Sequence, residues 1–182
     1  MITFNELLKE FEVLHESIGM LPDVKLLHDY VKNNNLKEIL ELGILHGNSS
    51  RTFAVAASEI NGHLTSVDIE QTCLDDVLQR LKKDGTENFV TLIEGDSIKF
   101  LLKQPDKKYD CIFIDTNHLF RQTIAEIAVA MLKINENGYL FLHDTNQEGV
   151  SQAITIFMKY ASDRISFNNH QTNAGLGVMK FK

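Results

Sequence analysis

The residues best able to do chemistry fall in five short clusters, each directly after an apolar run. They are Glu41-Leu42-Gly43-Ile44-Leu45-His46-Gly47-Asn48-Ser49-Ser50, Asp68-Ile69-Glu70, Glu94-Gly95-Asp96-Ser97, Asp115-Thr116-Asn117-His118 and His143-Asp144-Thr145-Asn146. In an open α/β sheet, ligands bind outside the carboxyl ends of the strands, where the strand order reverses. If each apolar run is a strand, the five clusters line one edge of one sheet.

Each cluster suggests its own chemistry. Gly43 allows a tight turn and a close backbone approach, and Gly47 leaves room at the opening of the next helix. That helix start offers free N–H groups and a positive dipole end, suited to a carboxylate or a phosphate. The alternative is a plain turn with Asn48 and Ser49 as helix caps. A dinucleotide fingerprint places a glycine where Leu45 stands, which disfavours an NAD enzyme. Asp68, at a strand end, can accept hydrogen bonds from both hydroxyls of a ribose, and an ordinary loop acid is the alternative. Asp96 and Ser97 could meet an adenine amino group or simply cap the following helix. Two acidic strand ends, Asp115 and Asp144, converge with His118 and His143, and we read that cluster as functional. His118 suits a general base, because free imidazole titrates near about 6.5. His15, His28 and His63 read as surface or core residues. Zinc-ligand spacing, a nucleophile elbow and a phosphate-binding loop are all missing.

These clusters need elements to position them. Apolar spacing predicts helices over residues 3–18, ended by Gly19, and 21–33, stopped by the asparagines at 33–35. Strands are expected at 38–42, 64–69, 89–93, 111–114 and 139–142, alternating with helices at 50–60, 74–83, 98–103 and 121–132. The last of these helices should stop in a turn at 135–138. Such alternation implies right-handed crossovers and a mostly parallel α/β sheet with helices on both faces. Thr145 and Glu148 form a capping-box pattern for a helix over 147–161. Strands at 165–168 and 178–181 close the chain, the last entering antiparallel, for seven in all. The chain reads as one domain over 1–182, a helical preface (1–35) and an α/β core (36–182).

Bulk properties narrow the function further. The 182 residues are 43% hydrophobic and 24% charged, enough for a full core without metal or disulfide staples. Acidic residues outnumber basic ones 25 to 18, for a net charge of -7. With no basic block, nucleic acid is not an expected partner. Cys73 and Cys111 are far apart and read as free thiols in a reducing compartment. The charged, amphipathic start is unlike a signal peptide, and no apolar run suits a membrane span, so a cytoplasmic location is expected.

Taken in order, ELGILHGNSS (41–50), TSVDIE (65–70), EGDS (94–97), YDCIFIDTNH (109–118), GYLFLHDT (138–145) and NAGLGVMKF (173–181) resemble the class I S-adenosylmethionine (SAM)-dependent methyltransferases. Within them, the likeness is to a small-molecule branch that includes macrolide-sugar O-methyltransferases and cephalosporin hydroxylase-like proteins. The resemblance covers about residues 36–181. It implies a Rossmann-like methyltransferase fold, SAM as cofactor and a small-molecule acceptor hydroxyl, with His118 as base. It also implies that Glu41, Gly43, Gly47, Asn48 and Ser49 frame the methionine part, that Asp68 holds the ribose and that Asp96 and Ser97 meet the adenine, with Asp115 beside them. In metal-dependent members, Asp115 and an acidic pair after the fifth strand bind magnesium. Here that pair is His143-Asp144, so Asp115, Asp144 and His143 could hold a softer metal, or none. A cofactor-binding, non-catalytic or hydroxylase-like interaction module on the same fold is the alternative function. The N-terminal helices could pair two subunits into a homodimer.

Overall fold

The structure, a computed structural model, describes residues 1–13, 20–104 and 106–182. The end of the first expected helix, with His15 and its stop at Gly19, lies outside the described residues. The elements run α1 (Phe4–Val13), α2 (Leu21–Asn34), β1 (Glu38–Leu42), α3 (Asn48–Ile60), β2 (His63–Asp68), α4 (Gln71–Asp84), β3 (Val90–Glu94) and α5 (Ser97–Leu102). They continue as β4 (Tyr109–Ile114), α6 (Phe120–Ala130), β5 (Ile134–Leu142), α7 (Glu148–Ala161), β6 (Ile165–His170) and β7 (Leu176–Phe181).

Local chemistry explains the breaks. Pro22 sits in the first turn of α2, where its missing N–H costs nothing, and Asn35 closes that helix in the left-handed region at φ 53°. Gly85 ends α4 in the same way, at φ 72°.

The seven strands order as β3-β2-β1-β4-β5-β7-β6. β1 pairs in parallel with both β2 and β4, while β7 runs antiparallel between β5 and β6. The order therefore reverses between β1 and β4, which is where a ligand is expected in such a sheet. Helices cover both faces. On one, Leu40, Leu42, Ile112 and Leu140 pack with Ile127 of α6 and Ala153 of α7. On the other, Ile39, Phe113 and Phe141 pack with Leu27 of α2 and Phe53 of α3. Burying each of these large side chains stabilises the fold by about 1.5–3 kcal/mol, so the strands are held from both sides. α1 docks through Leu7 and Phe11 onto Val24 and Val55. Among the described residues, no helix is long and apolar enough to cross a membrane.

Two local expectations are corrected. Thr145 does not cap α7: the cap position is Gln147, without a side-chain bond. Thr145 instead donates its hydroxyl to Asn169 Oδ1 at 2.8 Å, and its N–H bonds the carbonyl of Gly175. The hairpin between β6 and β7 has claimed it. Residues 135–138, expected as a turn, lie inside β5, which starts at Ile134. The register shifts there opposite Tyr109 and Cys111, and Asn137 takes φ 63°. The Asn135 amide donates to Asp110 Oδ1 at 2.7 Å, which pins the irregular stretch to β4.

Candidate functional site

The site grows from the turn after β1. Gly43 takes φ 91°, and a Cβ there would lie 1.9 Å from the carbonyl oxygen of Asp115. Only glycine lets the β1 turn touch the end of β4 this closely. Leu45, where a dinucleotide fingerprint has its middle glycine, is left-handed at φ 48°. Asp68 clasps this turn: Oδ2 accepts the N–H groups of Ile44 at 2.7 Å and Leu45 at 3.4 Å, and Oδ1 accepts that of Glu70 at 2.9 Å.

A cavity of about 470 Å³ opens beside these groups. Gly43, Asp68, Asp96, Ser97 and Asp115 all line it, as do both His118 and His143. That size falls in the usual range for a small-molecule or cofactor site. Asp96 also caps α5, accepting the Lys99 N–H at 2.8 Å. Ser97 donates to Glu126 Oε1 at 2.5 Å, and Gln122 donates to the same oxygen at 2.9 Å. The other Glu126 oxygen takes the Thr116 hydroxyl at 2.8 Å. Glu126 thus ties the loops after β3 and β4 together from beneath.

Four expected contacts stand behind the cavity wall. Glu41 is fully buried, and its carboxylate accepts the hydroxyls of Ser49 at 2.5 Å, Ser50 at 2.6 Å and Ser66 at 2.5 Å. Burial pushes its pKa up to about 7, although the three hydroxyls pull the other way. In this arrangement its carboxylate braces the turn through the three serines. Ser49 is spent on Glu41, and Asn48 is buried in the first turn of α3. Gly47 leaves room for α4, since a Cβ there would meet the Val77 side chain at 2.5 Å.

At the other end of the cavity, four charged groups interlock. His118 Nε2 lies 3.2 Å from Asp115 Oδ1 and 3.1 Å from Asp144 Oδ2. His143 Nδ1 lies 3.4 Å and 2.9 Å from those same two oxygens. His118 and Asp144 both adopt left-handed backbone, at φ 57° and 54°. The first turn of α7 presses on this loop, and a Cβ on Gly149 would lie 2.3 Å from the His118 carbonyl. Bonds to Asp115 and Asp144 push the His118 pKa up to about 9. Burial alone would lower that of His143, but Asp115, Asp144 and Asp23 outweigh it and raise it well above the usual imidazole range. Bonds to His118 and His143 hold Asp144 far below the usual carboxylate range. For Asp115, burial acts upward, yet the same two rings keep its pKa low.

Asp115, His118 and Asp144 offer ligand atoms within 4.8 Å of one another. Magnesium favours oxygen ligands and takes imidazole poorly. These residues therefore do not fit the magnesium that the resemblance brings to mind.

Asp23 of α2, Gln122 and Glu126 were missed in the sequence. Asp23 looks like an ordinary acid favouring a helix N-terminus, and Glu126 like one more polar residue on α6. Only the spacing of Gln122 and Glu126, one helical turn apart, hints at a shared face.

Comparison with known proteins agrees with this geometry. Residues 40–145, more than half of the chain, match the family described as "Methyltransferase domain". The tapetum-specific methyltransferase 1 of Arabidopsis thaliana is 31% identical over 130 residues, 64% of this chain and 55% of that protein. The chain thus spans little more than half the length of this curated relative. The O-methyltransferase TomG of Streptomyces achromogenes, involved in tomaymycin synthesis and solved with SAM, superposes with a TM-score of 0.79 at 17% identity, covering 100% of this chain and 92% of that one. The O-methyltransferase of Bacillus cereus, solved with S-adenosylhomocysteine (SAH), gives 0.79 at 17% identity, over 100% and 93% of the two chains. With the match falling on β1 to the end of β5, the stretch that builds the cavity, this chain belongs to that methyltransferase-domain family, on the fold that these SAM- and SAH-bound O-methyltransferases share.

Proposed function

We propose that the chain transfers the methyl group of SAM to a hydroxyl oxygen of a small molecule. The observation that carries this reading is the placement of Asp68, Asp96 and His118 on the wall of one cavity. Ribose and adenine contacts at one end then leave the reacting end beside an ionisable imidazole. Bound there, the sulfonium supplies a methyl carbon already activated toward a nucleophile. The protein's task is mainly alignment. Asp68 keeps a lone pair on Oδ1 for a ribose hydroxyl beyond its three backbone bonds. Asp96 and Ser97 face the adenine edge.

His118, once neutral, accepts the proton of the acceptor hydroxyl, and Asp115 and Asp144 stabilise the imidazolium that forms. Proton transfer of this kind contributes about 10²–10⁴-fold. The donor set does not suit magnesium, so the proton passes to the imidazole. The pattern of acids over bases, at net charge -7, favours a small acceptor over nucleic acid.

The test is calorimetric titration of cofactor-stripped protein with SAM, SAH and NAD, followed by transfer of labelled methyl groups to a panel of hydroxyl compounds. Micromolar binding of SAM and SAH, weakened tenfold or more (about 1.4 kcal/mol) in Asp68→Ala, supports the reading. No binding of either would sink it. Labelled methyl appearing on carbon or nitrogen instead would overturn the hydroxyl assignment.

A further inference from the structure

Asp23, in the first turn of α2, is fully buried. Neither of its carboxylate oxygens has a hydrogen-bond partner among the described residues. An acid placed only to favour the helix dipole would stay in water, where charge is cheap to hold. Its neighbour is Nε2 of His143, 3.6 Å from Oδ2. That nitrogen is also buried and without a hydrogen bond among the described residues. The opposite nitrogen of the same ring faces Asp144 and Asp115, at 2.9 Å and 3.4 Å. Phe113 closes one side of the ring, with centroids 6.0 Å apart. One imidazole therefore spans from a carboxylate on the N-terminal helices to the carboxylate pair at the sheet edge.

We infer that Asp23 is a positioning residue, whose carboxylate takes the Nε2–H of His143 and so turns Nδ1 toward Asp115 and Asp144. The separation of 3.6 Å is an ion-pair distance, and a ring movement of roughly 0.5 Å brings it into hydrogen-bond range. That bond satisfies two of this pair's three buried orphan atoms, Nε2 and Oδ2. A carboxylate that takes the Nε2–H in this way fixes the angle of the ring. The effect reaches His118, because His118 shares Asp115 Oδ1 and Asp144 Oδ2 with His143. If the His143 ring turns, those oxygens are free to shift and His118 loses its alignment. α2 thereby belongs to the working site as well as covering the sheet. The consequence for turnover rests on the methyl-transfer reading; the contact itself does not.

The experiment is NMR of the ring N–H groups in the full chain labelled with [15N]histidine. The His143 signals are identified by their absence in His143→Gln. A slowly exchanging, downfield Nε2–H is expected in the parent. It should move upfield in Asp23→Asn, which keeps an acceptor but loses the charge, and vanish in Asp23→Leu. A parent without a protected His143 Nε2–H, or an Asp23→Asn spectrum with that signal unmoved, overturns the inference. Should Asp23→Leu fail to fold, the parent and Asp23→Asn spectra decide alone. A merely structural role would lower the melting temperature and leave the signal in place. SAH titration of the parent, run separately, reports on the methyltransferase reading, so the two can fail independently.

Discussion

Substituting Gly43 by alanine tests how tightly the β1 turn is coupled to the end of β4. The new Cβ would sit 1.9 Å from the carbonyl oxygen of Asp115, against an ordinary contact that begins at 3.4 Å. The two backbones must therefore part by about 1.5 Å, as the difference of those two distances. The hydrogen bond from Asp115 N–H to Leu42 O, at 2.9 Å, holds them together now, and that from Gly43 N–H to Val67 O, also 2.9 Å, ties the displaced turn to β2. Losing both costs about 1 kcal/mol each. Holding alanine at φ 91° costs about 1–3 kcal/mol more. The sum is about 3–5 kcal/mol, a large share of the 5–15 kcal/mol that stabilises a typical domain. Urea unfolding followed by circular dichroism measures it. With a slope near 2 kcal/mol per molar, the midpoint should fall by about 1.5–2.5 M. SAH affinity should fall too, because Asp115 lines the cavity and moves with the strand end. A midpoint shift below about 0.5 M with SAH binding intact would show that the contact is softer than argued and refute the coupling.

Three other outcomes follow from the same geometry. Glu41 has its pKa raised from 4.5 to about 7, so the stability it contributes is fully present below pH 4.5 and is lost as pH rises through 7. The drop is roughly 3 kcal/mol; Glu41→Gln should flatten it in melting curves from pH 4.5 to 8, because the three serine hydroxyls can reorient around a neutral amide. Arg51 is buried between Asp84, at 2.6 Å and 2.8 Å, and Glu10, at 2.7 Å. Arg51→Met should cost about 3–5 kcal/mol in urea unfolding, and adding Asp84→Leu should recover most of it; an unrecovered double variant would count against a stranded charge as the cause. Asp115 and then Asp144 hold His118 protonated to about pH 9, so single-turnover methyl transfer should rise with pH and level off near 9. Asp144→Asn should move that inflection toward neutrality, and a flat profile would remove His118 as the base.

Much of the fold was legible because each of the first four strands is a short apolar run that stops at Asp, Glu or Gly. Leu40, Leu42, Ile112 and Ile114 are buried on one face of the sheet and Ile39, Cys111 and Phe113 on the other, so the runs are continuous rather than alternating, the mark of a parallel sheet. Less legible was how the chain ends. The loop joining β6 to β7 contains glycine, which suggests a reversal, yet nothing local to residues 176–181 says that β7 slides between β5 and β6. That insertion is a long-range choice, and it redirects Thr145 from a helix cap to Asn169.

The site shows the same division in sharper form. Residues at strand ends could be found, because topology alone brings Asp68, Asp115, His118 and Asp144 to one edge. Residues that act from beneath could not. Asp23 and Glu126 sit on helices whose sequence reads as ordinary amphipathic surface, and their roles exist only once those helices pack. Leu45 shows the limit of reading by fingerprint. The missing glycine argued against NAD, yet the backbone there is as left-handed as a glycine would be. A leucine in that region costs about 1–2 kcal/mol. His118 and Asp144 carry the same backbone sign on neighbouring loops. Strain persists only where surroundings over-determine it. Here the surroundings are visible: Asp68 holds the N–H groups of Ile44 and Leu45, and Gly149 lets α7 press against the His118 carbonyl. The edge that faces the cavity is thus stiffened from its own wall by Asp68 and from behind by α7. A site built to align two reactants needs that stiffness more than it needs additional contacts.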